Sequence, residues 1–231
     1  MNKAHVQALL DRQIGNWRFV HSDERIDLSL ADLTGADARG VDLSGADMHY
    51  TILTNANLSA SDLSGVYAKY ADLSGASVYD ADLIGADLSN ANLCGTDFGG
   101  ASLRGANLRG ANLVDASFSG ANLTGADLTD ANLCGANLCD ATLTGAILDG
   151  AELHGADLSG AEGILELGNG EFDWRNILYA VRHSDGAMIK CGEFWGGIEE
   201  FKAAYVCEYD NNYLGLLVQL ISVWQGLGEK E

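Results

Sequence analysis

Proline is absent from this 231-residue chain, basic residues are few, and the cysteines number only five. Thirteen Lys and Arg stand against 33 Asp and Glu, a formal charge of −20. An acidic excess of that size repels nucleic acid and argues against direct DNA or RNA binding. No stretch of 18 apolar residues occurs, so no membrane-spanning helix and no membrane partner is expected. The opening residues, MNKAHVQALLDRQIGNW, lack the long apolar run and small-residue cleavage site of a secretory leader. An odd number of cysteines without paired spacing fits a reducing cytoplasm better than a disulfide framework.

Catalytic signatures are missing as well. The histidines, His5, His21, His49, His154 and His183, pair with no serine or cysteine motif. HExxH, GxSxG, Walker and Rossmann patterns do not occur. Cys94 and Cys134 fall on one outward column about 10 Å apart, too far for a disulfide or a shared metal, and Cys139 lies on the adjacent face. Cys191 and Cys207 lack zinc-type spacing. No enzyme, cofactor or metal site is expected.

What the sequence does contain is a repeat of five. Leucine recurs at positions ending in 3 or 8, from Leu28 and Leu33 to Leu158, with replacements such as Ala38, Met48, Ala68, Val78, Phe98 and Phe118. A small residue, usually Ala, stands two positions earlier, Asp or Asn lies between, and Gly commonly closes the unit. The register holds for 27 units from Ile26 to Gly160. Five fits neither a helix at 3.6 nor a strand at 2, so the chain must turn a corner every unit. Four corners close a square coil of about twenty residues, with leucine and the small residue inside. About seven coils at strand spacing make a rod roughly 32 Å long. Residues twenty apart must then stack, so Phe98 and Phe118 should meet in the core between Val78 and Leu138. Ala38 and Ala68 are undersized core positions, where narrowing or a filling neighbour is expected.

The A(D/N)LxG run over residues 26–160 resembles the pentapeptide-repeat family. That resemblance implies an all-β solenoid, a right-handed quadrilateral β-helix. It also brings in the quinolone-resistance members of the family, which engage DNA gyrase as DNA mimics. Two departures bear on the gyrase role specifically. No long loop leaves the coils, as it does in some gyrase-protecting members, and the C-terminal segment is more than a terminal helix.

Three domains follow: 1–25, 26–162 and 163–231. Bare coil ends are sheet edges that need covering. Residues 3–12 read as a short amphipathic helix, with Val6, Leu9 and Leu10 on one side, able to cap the first coil together with Trp17 and Phe19. Residues 163–231 read as a small α+β segment. NILYAVRH and AMIKCGEF form a hairpin joined at Ser184-Asp185-Gly186, and helices follow at 197–208 and 212–225. The second helix is apolar nearly all round, through Leu216, Leu217, Leu220, Ile221 and Trp224. It is therefore expected to cap the last coil, to pair with a second copy as a homodimer, or to do both.

Residues 26–160 carry 18 acidic and four basic side chains, Arg39, Lys69, Arg104 and Arg109. Eighteen charges on about 32 Å is about one per 1.8 Å, against about one per 1.7 Å in duplex DNA. The early units choose Asp, at Asp32, Asp37, Asp42, Asp47, Asp62, Asp72, Asp82 and Asp87, where later units choose Asn or Ser. Asp42, Asp62 and Asp82 share one column, and like charges at about 4.8 Å repel unless a partner uses them. Tyr50 and Tyr70 stack beside His49 and Lys69, Tyr67 lies on the same wall, and Tyr79 is placed on a neighbouring wall. These tyrosines are either a contact site or a stabilising ladder. The sequence thus suggests an acidic interaction protein of the bacterial or phage cytoplasm, mimicking DNA for a topoisomerase, nuclease or defence complex. The alternative is a rigid adaptor working through its C-terminal segment.

Overall fold

The computed structural model describes residues 26–148, 150–163, 165–166, 178–183, 186–191, 194–197 and 200. The coil forms because each unit exposes backbone groups that only the next coil can satisfy. Leu28 N donates to Asp47 O at 2.7 Å, Leu30 N to His49 O at 3.0 Å, and Asp47 N donates back to Ile26 O at 2.7 Å. Parallel bridges repeat this offset of twenty residues from Asp27↔Asp47 to Thr142↔Glu162. Four bridge columns therefore run along the rod, one on each side of a square coil. Wall 1 carries the units beginning at 26, 46 and 66, wall 2 those at 31, 51 and 71. Wall 3 carries those at 36, 56 and 76, and wall 4 those at 41, 61 and 81.

Corners follow from a second set of bonds. Ala31 N donates to Leu28 O at 3.0 Å, which closes a turn over residues 29 and 30. The second central residue of such a turn has positive φ, the type II pattern, and glycine fills most of these positions. Leucine and the small residue point inward, and both columns are buried along the rod, except that Ile26 and Ala146 are only partly covered. Phe98 and Phe118 stack at 4.9 Å with their planes 6° apart, in the column that also holds the buried Val78 and Leu138. Ala38 and Ala68 are likewise buried. Thr51 and Thr96 stand where Ala is usual, and each hydroxyl donates at 2.8 Å to a carbonyl of the preceding coil, Leu28 O and Leu73 O.

The chain after the solenoid forms a four-stranded antiparallel sheet: β1 Leu165–Glu166, β2 Leu178–His183, β3 Gly186–Cys191 and β4 Phe194–Gly197, in that order. The expected hairpin is β2–β3, with His183 opposite Gly186, so Gly186 opens the second strand and does not belong to the loop. Gly197 ends β4 and does not begin a helix; its N–H donates to Glu200 Oε2 at 2.9 Å. The N-terminal cap (residues 1–25), the body of the helix expected over 197–208 and the apolar helix with Leu216, Leu217, Leu220, Ile221 and Trp224 lie outside the described residues.

Corner glycines fall into two kinds. Asn55, Asp80, Asn90, Asp115, Asp130 and Asp140 occupy corners in the left-handed region, which short polar side chains tolerate. The residue one coil above each is Gly75, Gly100, Gly110, Gly135, Gly150 and Gly160 respectively. A Cβ on Gly110 would lie 2.8 Å from Asn90 Oδ1, and one on Gly100 would collide with Asp80 Oδ1. Around Gly85 the same position is open. Both Gly85→Ala and Gly100→Ala should lose about 1 kcal/mol for the left-handed backbone. Gly100→Ala should lose at least about 1 kcal/mol more in chemical denaturation, and Asp80→Gly should remove that difference.

Candidate interaction surface

Each second-position Asp or Asn folds its side chain back onto its own turn. Asp42 Oδ1 accepts from Ser44 N at 3.0 Å and from its hydroxyl at 2.7 Å, and Asp62 does the same with Ser64. Asp82 Oδ1 accepts from Ile84 N at 2.9 Å. Asn57, Asn122 and Asn132 make the same backbone contact through their amide oxygens. This contact uses an oxygen acceptor and no charge; Ile52 holds the same place without one, and its turn still closes, Ala56 N donating to Leu53 O at 2.9 Å. This local role was not anticipated from the sequence, although the Asp/Asn interchange with Ser or Thr two residues on is its signature.

Asn also supplies something Asp cannot. Asn92 Nδ2 donates to Asp72 Oδ1, Asn107 Nδ2 to Asp87 Oδ1 and Asn112 Nδ2 to Asn92 Oδ1, each at 3.1 Å. These bonds join neighbouring coils through side chains. On wall 4, Asp42 is bridged to Asp62 and Asp62 to Asp82. Carboxylates have no proton to donate across that gap. Among the described residues no ion pair reaches this column.

The eight aspartates singled out in the sequence are thus not one site. Asp42, Asp62 and Asp82 form a continuous column on wall 4. Asp32 and Asp72 sit on wall 2, separated by Ile52. Asp47 and Asp87 sit on wall 1, separated by Tyr67. Asp37 sits on wall 3 and is held by both ends of the Arg39 guanidinium, at 2.8 and 2.7 Å. The Arg39 side-chain hydrogen bond lowers the Asp37 carboxyl below its usual range. Burial opposes ionisation of Asp127, but hydrogen bonds from Thr129 and Arg109 outweigh it and lower that carboxyl too. A lowered carboxyl stabilises the fold above the ordinary aspartate pKa, and this is lost as pH falls through its own lowered value. Burial, with Asp157 beside it, raises the Cys139 thiol.

The aromatic residues divide in two. Tyr50 and Tyr70 stack at 5.1 Å with planes 15° apart, and Lys69 Nζ lies 5.2 Å from the Tyr70 ring centroid. His49 stacks on Tyr67 at 6.4 Å and bonds Asp47 Oδ1 through Nδ1 at 2.6 Å. Tyr79 does not belong with them: it stands half a coil beyond Lys69, so it lies on wall 3, opposite wall 1 and not on a neighbouring wall. Its ring lies against Gly99, where an added Cβ would meet Tyr79 Cδ2 at 3.0 Å. Leu30, unremarked in the sequence, completes the column below Tyr50. Leu30, Tyr50 and Tyr70 all sit at corners with φ of 59°, 56° and 60°. A side chain without a local polar group costs roughly 1 kcal/mol or more there, and the sequence signal is simply a bulky residue in the glycine place.

Comparison with known proteins follows the same boundaries. The family model "Pentapeptide repeats" matches in eight copies over residues 26–65, 61–100, 101–138 and 126–162. Such folds are right-handed β-helices. HetL, a pentapeptide repeat protein involved in heterocyst differentiation regulation in the cyanobacterium Nostoc sp. strain PCC 7120, is 41% identical over 60% of this chain and 68% of its own, with a TM-score of 0.28. QnrB1, a plasmid-mediated fluoroquinolone resistance protein, is 20% identical over 58% of this chain and 70% of its own, with a TM-score of 0.50. A pentapeptide repeat protein from the Arabidopsis thaliana thylakoid lumen is 42% identical over 40% and 68%, with a TM-score of 0.23. No curated protein matches the sequence.

Asp62→Asn should stabilise the fold. Its amide keeps the turn acceptor, can donate to Asp42 as Asn92 does to Asp72, and removes the middle charge of the column. A gain of about 0.5–1.5 kcal/mol is expected in denaturant unfolding.

Proposed function

The chain belongs to the pentapeptide-repeat family, and we propose that within it the chain is a non-enzymatic acidic interaction protein that takes the place of duplex DNA. Its partner would be a DNA-binding protein of the bacterial or phage cytoplasm with a basic groove: a topoisomerase, a nuclease or a defence complex. The observation that carries this reading is the Asp42–Asp62–Asp82 column. The turns would hold equally well with Asn, which would add cross-coil bonds, so three adjacent charges are retained against the interest of the fold. A rod with a charge density like that of DNA is drawn toward any cationic channel shaped for a duplex.

Gyrase is one candidate target, through the family's quinolone-resistance members. The unbroken bridge register from Asp27 to Glu162 leaves no loop excursion from the coils, so the partner is defined here by its basic groove and not by name. A rigid adaptor working through residues 163–231 is the second reading, favoured by the separate antiparallel sheet that follows the solenoid.

The test is a tagged pull-down of the full chain from bacterial lysate, across a salt series and with excess duplex DNA as competitor. Mimicry predicts capture of DNA-binding proteins that DNA and salt both release, and loss of that capture in the Asp42→Asn, Asp62→Asn, Asp82→Asn triple variant. Partners indifferent to DNA and salt, retained by the triple variant, would support the adaptor and overturn mimicry.

A further inference from the structure

The Leu30–Tyr50–Tyr70 column is unexplained by an acidic mimic. It is an apolar ridge on the corner between walls 1 and 2, in a rod whose other corners carry Gly, Asn, Asp or Ala. Leu30 is 78% exposed, Tyr50 53% and Tyr70 45%. All three hold a backbone conformation that glycine adopts without strain, as Gly110 and Gly150 do further along the same column. A ladder of stacked rings accounts for Tyr50 and Tyr70 but not for Leu30, the most exposed large hydrophobic among the described residues.

We propose that this ridge is where a second copy of the chain docks, side by side and with the two rods parallel. Two observations select that occupant. Side chains on the ridge repeat at the coil spacing of about 4.8 Å, and another copy presents the same repeat at the same heights. This is how identical ladders meet in dry interfaces between sheets. The flanks are self-complementary as a two-fold interface requires. Ser29, His49 and Lys69 line the wall 1 side of the ridge, while Asp32, Ile52 and Asp72 line the wall 2 side. A two-fold axis along the rods sets Lys69 of each copy opposite Asp72 of the other. An axis across the rods would instead set Asp72 opposite Asp32, like charge against like, so the parallel pair is selected. Wall 4, with Asp42, Asp62 and Asp82, then faces away from the joint. The pairing is thus compatible with the mimic reading and does not depend on it.

Three ridge residues per copy cover less than the roughly 800 Å² per partner of a standard stable interface, so the pair is weak. Two chains of charge −20 also repel over long range, and salt screens that repulsion. Association should therefore strengthen with salt, the reverse of partner binding by the acidic wall.

Sedimentation equilibrium of the full chain, between about 50 and 500 mM salt, tests this. A weak dimer is expected, populated at high protein concentration and tightening several-fold with salt. Leu30→Gly, Tyr50→Gly and Tyr70→Gly together remove the ridge and its backbone strain, and should weaken the dimer at least about tenfold without unfolding the rod by circular dichroism. Lys69→Glu should weaken it and Lys69→Glu with Asp72→Lys should restore it. A chain that stays monomeric at high salt overturns the proposal and leaves the ridge to residues 1–25 or to a different protein. A dimer that ignores the ridge substitutions overturns it too, and assigns self-association to residues 163–231.

Discussion

The cross-coil backbone hydrogen bond, repeated at an offset of twenty residues, is the constraint on which the rest of this molecule depends. Once Leu28 N is bonded to Asp47 O and Asp47 N to Ile26 O, every residue has a fixed neighbour above and below. A unit of four or six residues anywhere in the run would move all later leucines off the core column, so the period is enforced by burial. Columns of like residues are the consequence. In the interior this favours Val78, Phe98, Phe118 and Leu138, which pack as a stack. On the outside it sets the side chains of each wall in rows at fixed spacing, and where like residues follow one another, as in Asp42, Asp62 and Asp82, a favourable or unfavourable contact is multiplied along the rod.

That multiplication gives the choice between Asp and Asn its meaning. In Asn92 and Asn112 the second-position residue closes its turn or ladders to the coil next to it. In Asp42, Asp62 and Asp82 the turn is closed equally well, the ladder is forgone and repulsion is added. The corners repeat the contrast: Asn90 and Asp130 fit the left-handed region and lie under glycines made to receive them, while Leu30, Tyr50 and Tyr70 do not fit it. Both departures from the stable solution fall in the first three to four coils. The later coils resemble a stem optimised for stacking, and the early coils a surface optimised for something outside the molecule.

The coil, its inward residues and the Phe98–Phe118 stack were legible because a period of five admits few geometries. The β2–β3 hairpin was legible from the Asp-Gly pair between strand-like runs, though Gly186 fell into the strand. Side-chain chemistry within the unit was less so. A carboxylate that folds onto Ser44 and one that faces water read alike in sequence, and the pairing of Asp37 with Arg39 emerges only when both are placed on one wall. Tyr79 lies one wall further round than its place in the sequence suggests, half a coil beyond Lys69, and Leu30 gives no signal in the sequence because a lone apolar residue on a surface is ordinary. Its backbone conformation, not its exposure, singles it out.

The central claim is that charge on wall 4 exceeds what the fold requires. Its most direct test is the unfolding free energy of the full chain and of its Asp42→Asn, Asp62→Asn, Asp82→Asn variant, measured by denaturant titration across a salt series. Repulsion within the column makes the variant the more stable protein at low salt, and screening should narrow that gap as salt rises. A variant less stable than the parent, or a gap that salt does not change, would mean that the three carboxylates serve the fold, and the case for an external basic partner would lose its physical basis.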